Sequence, residues 1–376
     1  MRSLLVGNGV NIQFDKTGSS AQQIVLRILK NCDRFDFPAH IVVDQPYLLK
    51  DYLGDLFLKA RDILAGRFDR FAVGTAEKES LAAFKEKYTS RLKHLRMTDI
   101  CFEDYYLLHD LLCHYFRMGN PEMYYIRESM RMVYLYAIYN DGALDKLYLL
   151  YPNHYIDYLK SFDSVFSTNY DSNIENATGN NVIHLHGQFD RLSDVYNPES
   201  LRNKLPDAPI QSIEIDHRYD YLYSNAITTH SGAYKEFIIK QIPMANDAID
   251  HMAKAYNENP SVRADVEGWI ASDNPLIINL GYAIRLKAEN PELSFSQQYD
   301  FDAFREISGE LEILGISPWN DFHIFRTIDN SSIEKCVYYY NRQAGCEKVK
   351  ELLPKLSSEG RLCFKSASEV WEADHG

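Results

Sequence analysis

The 376-residue sequence contains only six cysteines, and no two of them form a C-x-x-C pair. Zinc ribbons need such pairs, and the disulfide frameworks of small secreted domains need many closely spaced cysteines. Both structures are therefore excluded, and we expect a protein of the reducing cytoplasm. The cysteines are Cys32, Cys101, Cys113, Cys336, Cys346 and Cys363.

Long apolar runs and an excess of positive charge are lacking as well. No segment approaches the roughly 18–20 uninterrupted apolar residues that span a bilayer, and the first residues do not have the pattern of a signal peptide. The 53 acidic residues outnumber the 40 basic ones, which gives a formal charge of −13. We therefore expect no membrane partner. Direct binding of nucleic acid is disfavoured, because neutralising phosphates needs a basic surface.

Short apolar runs bounded by turn residues predict the strands of one sheet. Their hydrophobicity is nearly continuous rather than alternating, which is typical of parallel strands covered on both faces. We therefore predict an α/β fold with a mostly parallel sheet. The predicted strands are SLLVGNG (3–9), SVFSTNY (164–170), NVIHLHG (181–187), PLIINLGYAI (275–284), LEILGIS (311–317), KCVYYYN (335–341) and RLCFKS (361–366).

Large helical insertions separate these strands. Residues 76–96 combine good helix formers with opposite charges at helical spacing, and apolar stripes predict helices at 102–118 and 123–139. The second insertion contains a predicted loop at 196–211 and a helical stretch at 233–257. We predict one domain over residues 1–376, with a sheet core at about 1–15, 160–190 and 275–366 and helical insertions at about 16–160 and 190–300.

A glycine-rich turn follows the first predicted strand, in the segment LLVGNGVN. Gly7 and Gly9 let the backbone approach a phosphate, and Asn8 or Asn11 can hydrogen-bond a ribose or a phosphate. The third glycine of the usual dinucleotide fingerprint is missing, and any turn from a strand into a helix favours glycine. By itself the motif leaves a nucleotide site and an ordinary turn as alternatives.

Polar residues also end the next two strands. In STNYD, residues Thr168, Asn169 and Asp171 point toward the edge where parallel sheets bind ligands, although the same residue types cap helices. In VIHLHG, strand alternation places His184 and His186 on one face. No further metal ligand is evident, so we expect no metal. A structural role fits His184, whereas His186 at the strand end fits a general base.

The strand near 311 ends in a fourth polar segment, ILGISPWNDF. Gly315 and Ser317 provide room and a hydroxyl group for a ribose or a phosphate. Asp321 can contact a ribose or cap the following helix. The order of the motifs along the chain is more informative than any one of them: G-x-G at the first strand, T-N-Y-D in mid-chain, H-G about a dozen residues later, and G-x-S-x-x-x-D near the end.

In this order the motifs resemble those of sirtuin-like NAD-binding domains, specifically the divergent branch found in bacterial anti-phage defence proteins and the related AbiH-like abortive-infection proteins. The resemblance implies a Rossmann-like domain that binds NAD at the strand ends, with Asn169 and His186 as the catalytic pair. It implies that the turn around Gly7 and Gly9 holds the pyrophosphate, and that Asp171 orients a ribose or holds His186 in one tautomer. The carriers are GNG (7–9), STNYD (167–171), HLHG (184–187) and GISPWND (315–321), and the match covers roughly 1–15, 160–190 and 305–345.

The departures from sirtuin deacylases are informative. Those enzymes carry a small zinc domain with two cysteine pairs, which this chain does not have, and they usually read G-A-G and T-Q-N in place of G-N-G and T-N-Y-D. The resemblance therefore implies an NAD glycohydrolase, with NAD as its substrate, rather than a deacylase. Such an effector is expected to be regulated by homo-oligomer formation or by a protein partner. A non-catalytic module that senses NAD or an ADP-ribose-like nucleotide is the alternative.

Overall fold

The structure is a computed structural model that describes residues 1–34, 46–119, 122–197, 200–205, 215–293 and 299–372. Contacts within the chain group it into two compact units. The first unit comprises Met1–Gln188, Ile227–Glu236 and Asp300–Gly376, and the second comprises Phe189–Ala226 and Phe237–Tyr299.

Six of the seven predicted strands are confirmed, and they form one sheet in the first unit. The strands are β1 (Arg2–Val6), β2 (Ser164–Ser167), β3 (Val182–His184), β4 (Ser308–Leu314), β5 (Ser332–Tyr340) and β6 (Leu362–Ser366). All neighbours pair in parallel, in the order β3-β2-β1-β4-β5-β6. This is the strand order of Rossmann-type folds, so the predicted Rossmann-like α/β class is confirmed.

The central strand explains why the hydrophobic pattern indicated parallel strands. Leu4, Leu5 and Val6 of β1 are fully buried, although successive side chains point to opposite faces of the sheet. Strands β2 and β4 flank β1 on its two sides. At the edge of the sheet, β6 has no buried residue. Continuous apolar character is therefore a property of the centre of this sheet, where both faces are covered.

The predicted strand at 275–284 is wrong, because the segment lies in the helix Pro275–Glu289 of the second unit. The side chain of Asn274 accepts a hydrogen bond from the backbone N–H of Leu276 and caps the helix, and proline occupies its first turn. A Cβ on Gly281 would lie 2.7 Å from Cγ1 of Ile270, so glycine lets this helix pack closely on the preceding one. A short apolar run fits a strand or a helix equally well, and the Asn-Pro start was the signal for a helix.

Both insertions contain several helices, and the helices predicted at 102–118, 123–139 and 233–257 are confirmed. The segment 76–96 is α-helical to Tyr88 and continues as a 3₁₀ helix to His94. Among the described residues, no helix is both long and apolar enough to cross a bilayer. The α-helices are α1 (Gly9–Phe14), α2 (Ala21–Asn31), α3 (Pro46–Leu64), α4 (Thr75–Tyr88), α5 (Asp104–Phe116), α6 (Glu122–Tyr139), α7 (Asn153–Lys160), α8 (Asn173–Thr178), α9 (Ser231–Glu258), α10 (Pro260–Ile270), α11 (Pro275–Glu289), α12 (Phe301–Arg305), α13 (Phe322–Asp329), α14 (Ala344–Leu352), α15 (Pro354–Ser358) and α16 (Ser368–Trp371).

The predicted loop at 196–211 is described only in part. It contains a short 3₁₀ helix at Arg202–Lys204. Residues 198–199 and 206–211 of the loop lie outside the described residues. The predicted sheet core includes residues 275–366. In the structure, the first strand of this segment is β4, which begins at Ser308.

A buried polar cluster connects the helices of the first insertion. The Asp110 carboxylate on α5 accepts hydrogen bonds from Arg127 on α6, at 2.7 Å to each oxygen, and lies 3.1 Å from Nε2 of His230. The neighbouring His109 is fully buried, with Nδ1 at 2.7 Å from the Tyr52 hydroxyl. Burial, together with the Arg127 charge, lowers the pKa of His109 to about 4.

The low pKa of His109 predicts a loss of stability in mild acid. The folded state holds this imidazole neutral, whereas the unfolded chain takes up a proton near pH 6.5, so the contribution is complete above pH 6.5 and declines as the pH falls toward 4. Between pH 7 and pH 5, the free energy of unfolding should fall by about 2 kcal/mol through this group. We expect the free energy of unfolding of His109→Gln, measured by urea titration, to differ less between these two pH values than that of the wild type. Equal pH dependence in both proteins would contradict the assignment.

Candidate active site

Three glycines join the start of the site to the sheet. Gly7 N–H donates to the carbonyl of Leu314 at 3.0 Å, and Gly9 N–H donates to the carbonyl of Gly315 at 2.9 Å. A Cβ on Gly9 would lie 2.5 Å from Cα of Gly315, and Gly315 itself has a φ of +76°. The turn after β1 therefore lies directly against the end of β4. Glycine is required here by contact between two backbones, whichever ligand the turn approaches.

The asparagines of this turn have different environments. Asn8 is exposed, and its Nδ2 donates to the carbonyl of Ser19 at 2.9 Å. Asn11 is buried on α1, and its Nδ2 donates to Oδ2 of Asp171 at 2.7 Å. Only Asn8 therefore keeps an accessible side chain at the turn. Asn11 connects the turn to the end of β2.

Asp171 holds the residues after β2 in place. Its second oxygen, Oδ1, accepts hydrogen bonds from the side chain and the backbone N–H of Asn173, at 2.6 and 3.2 Å. Burial raises the pKa of the Asp171 carboxyl above its ordinary value, against the opposing effect of the hydrogen bonds from Asn11 and Asn173. Both oxygens are thus bonded to asparagines rather than to His186. The expectation that Asp171 fixes the tautomer of His186 does not agree with this arrangement.

Asn169 presents its side chain to the cleft beyond the sheet. Its backbone N–H donates to Oγ of Ser167 at 3.0 Å, and its carbonyl lies 2.8 Å from Nδ1 of His184. The backbone N–H of Thr168 donates to the carbonyl of Val6, which continues the pairing of β2 with β1. The backbone is held on both sides of Asn169. No hydrogen bond engages its amide group within the described part of the chain, so this group is available to a ligand.

The two histidines of VIHLHG have separate roles. His184 lies between the Asn169 carbonyl and the Glu175 carboxylate, which is 2.7 Å from Nε2. Burial alone would lower the pKa of His184, but the hydrogen bond to Glu175 raises it above its ordinary value. Both ring nitrogens are used within the fold, as the structural interpretation of this residue requires.

His186 is buried at the base of the cleft against a second imidazole. Its Nε2 lies 3.0 Å from Nε2 of His323, with the ring centroids 5.1 Å apart and the ring planes inclined by 18°. Burial, the charge of Lys235 and the His323 ring lower the pKa of His186 well below its ordinary value, while a hydrogen bond with the Thr168 backbone acts in the opposite direction. The imidazole is therefore neutral at pH 7, as a general base must be.

A buried lysine stands beside this pair. Nζ of Lys235 on α9 lies 2.9 Å from Oε1 of Glu103 and 3.4 Å from Oδ1 of Asp321. Burial opposes the charge on Lys235, but the two carboxylates raise its pKa above the ordinary value. Asp321 occupies the N-cap position of α13 without a capping hydrogen bond from its side chain. Its carboxylate contacts Lys235 and faces the cleft, so the capping alternative for Asp321 is not observed.

Most of these groups line one cleft of about 860 Å³ at the carboxyl edge of the sheet. His323 is not among the lining residues and joins the site through its contact with His186. Ligands of open parallel sheets bind at this edge, where the strand order reverses, and here the reversal lies between β1 and β4. The volume is in the range of small-molecule sites. Of the predicted site residues only Gly7 is missing from the lining, which includes Asn8, Gly9, Asn11, Thr168, Asn169, Asp171, His186, Gly315, Ser317 and Asp321.

Sequence reasoning missed three residues of the site: His323, Lys235 and Glu103. His323 follows Asp321 by two positions in NDFH, and that proximity to a candidate residue was the available signal. Lys235 and Glu103 lie in the predicted helical insertions. A charged residue there is typical of a helix surface and gives no signal of a site. Only the folded chain brings them to the carboxyl edge of the sheet.

Comparison with known proteins gives no family assignment. No family model matches the chain, and neither a curated protein nor a solved structure matches it. The activity of the protein has to be inferred from its residues and from the geometry of the cleft.

Proposed function

We propose that the protein is an NAD glycohydrolase that cleaves NAD with water into nicotinamide, ADP-ribose and a proton. The observation that carries the proposal is the meeting of Asn169 and His186 in one cleft at the carboxyl edge of a parallel sheet. Dinucleotides bind at this edge in other folds of the same strand order. The reaction needs two groups there: a neutral imidazole, and an amide such as that of Asn169, which makes no hydrogen bond to the described residues.

The binding part of the proposal assigns the pyrophosphate to the turn after β1. Gly9 N–H is already bonded to the carbonyl of Gly315. We therefore assign the polar contact with the pyrophosphate to Asn8 rather than to the Gly9 N–H, because Asn8 is exposed and lines the cleft. Ser317, at the end of β4, offers a hydroxyl group to a ribose on the other side of the turn. The glycines allow a close approach of the backbone, and these side chains supply the polar contacts.

The chemical part needs little acid catalysis. Nicotinamide leaves as a neutral ring while positive charge develops at the anomeric carbon, so the site has to orient a water and accept its proton. The Asn169 amide can donate and accept hydrogen bonds at once, which suits it to hold the water or a ribose hydroxyl. His186 takes the proton, and contact of its ring with His323 lets the charge be shared between two imidazoles.

A defence role follows from the resemblance of the motifs to NAD-consuming effectors. We propose that the protein depletes cellular NAD in the cytoplasm during abortive infection by phage. Such an activity has to be suppressed in healthy cells, so assembly of several copies or contact with a regulatory protein would control it. Protein deacylation is disfavoured, because the sequence has none of the paired cysteines of the deacylase zinc domain.

The second candidate is a non-catalytic module that binds NAD or an ADP-ribose-like nucleotide. One observation favours it: the His186 ring is engaged with His323 on one side and with the Thr168 backbone on the other. A base in this environment has to exchange a partner before it can act on a water. A sensor would keep these contacts and bind the nucleotide unchanged.

The test is incubation of the purified full-length protein with NAD, followed by chromatography of free and bound nucleotides. We expect equal amounts of nicotinamide and ADP-ribose from the wild type and neither product from Asn169→Ala. Asn169→Asp, which keeps the shape but loses the amide donor, is expected to be impaired as well. Retention of intact NAD without products would favour the sensor. A folded protein that neither binds nor cleaves NAD would contradict both candidates.

A further inference from the structure

Three electron-pair donors converge beside the cleft, which two of them, His186 and Asp321, line. The Nε2 atoms of His186 and His323 lie 3.0 Å apart, and both side chains are about 1% exposed. One oxygen of Asp321 and one nitrogen of each histidine all lie within 4.8 Å of one another. Two imidazoles that face each other through Nε2 can share one proton or together hold one cation. The carboxylate adds a negative charge on the side of the cleft.

We propose that His186, His323 and Asp321 form a binding site for one divalent transition-metal ion of the zinc type. Two nitrogens that each lie about 2.0–2.1 Å from a zinc ion are about 2.9–3.4 Å apart when the angle between them is near 90–110°. The observed 3.0 Å falls in this range. Imidazole with carboxylate suits Zn²⁺ and its neighbours, whereas Mg²⁺ and Ca²⁺ prefer oxygen ligands alone.

Two of the three donors, His186 and Asp321, have the surroundings of a supported metal site. Ligating histidines usually donate their other ring N–H to a backbone carbonyl or a carboxylate, and ligating carboxylates are themselves hydrogen-bonded. His186 has its hydrogen bond with the Thr168 backbone, and Asp321 has its contact with Lys235. These bonds hold the ring and the carboxylate in the orientation that a metal would need.

The ammonium group of Lys235 is the unfavourable feature of the site, since it repels a second cation. It lies closer to Glu103, at 2.9 Å, than to Asp321, at 3.4 Å. Lys235 can therefore remain paired with Glu103 while the other oxygen of Asp321 binds the ion. Glu103 and Asp321 place two carboxylates beside the single ammonium group of Lys235, so that charge is matched within the cluster.

A metal bound here would block the reaction proposed above, and this consequence rests on the proposed function. The ion would occupy the nitrogen pair that otherwise receives the proton of the attacking water. Occupied protein would be inactive until the ion is removed. The site would therefore act as an inhibitory metal switch of the glycohydrolase.

The experiment measures metal binding without NAD. Full-length protein is stripped with a chelator and titrated with Zn²⁺ against a chromogenic competitor, and the visible absorption of bound Co²⁺ reports coordination by the chain. We expect one ion per chain in the wild type and at least about 100-fold weaker binding in His323→Ala. Asp321→Asn, which keeps the side-chain shape, is the second variant in case the first does not fold. His217→Ala removes an exposed histidine that lies 3.1 Å from Asp220, and it should bind Zn²⁺ like the wild type.

The outcomes separate the metal site from the proposed function. Stoichiometric binding that both site variants lose, and that millimolar Mg²⁺ does not displace, supports the site. Absence of binding, or equal binding by wild type and Asp321→Asn, overturns the metal site. The proposed hydrolysis of NAD is tested separately, in the presence of chelator, and does not depend on this result. If Zn²⁺ binds and the stripped protein still does not cleave NAD, the metal site stands and the glycohydrolase fails. If Zn²⁺ binds and cleavage continues at saturation, the inhibitory role is overturned.

Discussion

His186→Ala should release nicotinamide from NAD about 10²–10⁴-fold more slowly than the wild type, the range that a positioned general base contributes. The imidazole is buried and its pKa is lowered, so the neutral base is present throughout the neutral pH range. In the variant, the attacking water has no imidazole at this position to accept its proton. Affinity for NAD should change little, because the assigned binding contacts lie at the turn after β1 and at Ser317. Single-turnover rates and equilibrium binding of NAD, each measured in chelator, separate these two effects.

His217→Ala is the matched control, since it removes a histidine whose side chain is 82% exposed and which lies outside the cleft. Its rate should equal that of the wild type. If His186→Ala keeps full activity while remaining folded, His186 is not the base. If it loses NAD binding together with activity, the side chain shapes the pocket rather than accepting a proton.

Gly315→Ala should lower the free energy of unfolding by about 2–6 kcal/mol. Its φ of +76° strains any residue with a side chain, which costs about 1–3 kcal/mol. The added Cβ would lie 2.8 Å from the backbone nitrogen of Val10 and 2.9 Å from the carbonyl oxygen of Gly7, and relieving such overpacking costs a further 1–3 kcal/mol or so. Because these contacts hold the turn to β4, NAD binding should weaken as well. Urea unfolding at equilibrium measures the change.

Gly179→Ala isolates the strain of the backbone from the close contact. This glycine has a φ of +73°, but a Cβ there would meet nothing within 4 Å. We expect a loss of about 1–2 kcal/mol. If both variants lose the same amount, the contact between the turn and the end of β4 contributes nothing. In that case the close contact is not the reason for glycine at this position, and ligand approach is left as one of the two alternatives that the sequence motif offered.

The sheet could be derived from the sequence because each strand carries its own signal. Continuous apolar runs such as the one ending at Val6 require two covered faces, and in a large chain that indicates a parallel sheet. The error at 275–284 arose because a short apolar run has no distinctive period. There the capping residue Asn274 and the proline that follows it were better evidence than hydrophobicity.

The candidate site was accessible from the sequence for a related reason. Parallel strands present their carboxyl ends at one edge, so polar residues that follow separate strands meet there even when far apart in the chain. Asn169, His186 and Ser317 were predicted in this way and line one cleft. The roles of neighbours were less accessible, since Asp171 is bonded to Asn11 and Asn173 rather than to His186.

The sequence by itself indicated the six strands of the sheet, their parallel arrangement and the polar residues at their ends, because burial and turn chemistry act locally along the chain. Only the tertiary structure decided which side chains touch. His186 meets His323 from 137 residues later, and Lys235 reaches Glu103 and Asp321 from a separate helix. Contacts of this kind depend on how helices of the insertions pack against the sheet. Their energy comes from burial and charge pairing in three dimensions, which no local pattern records.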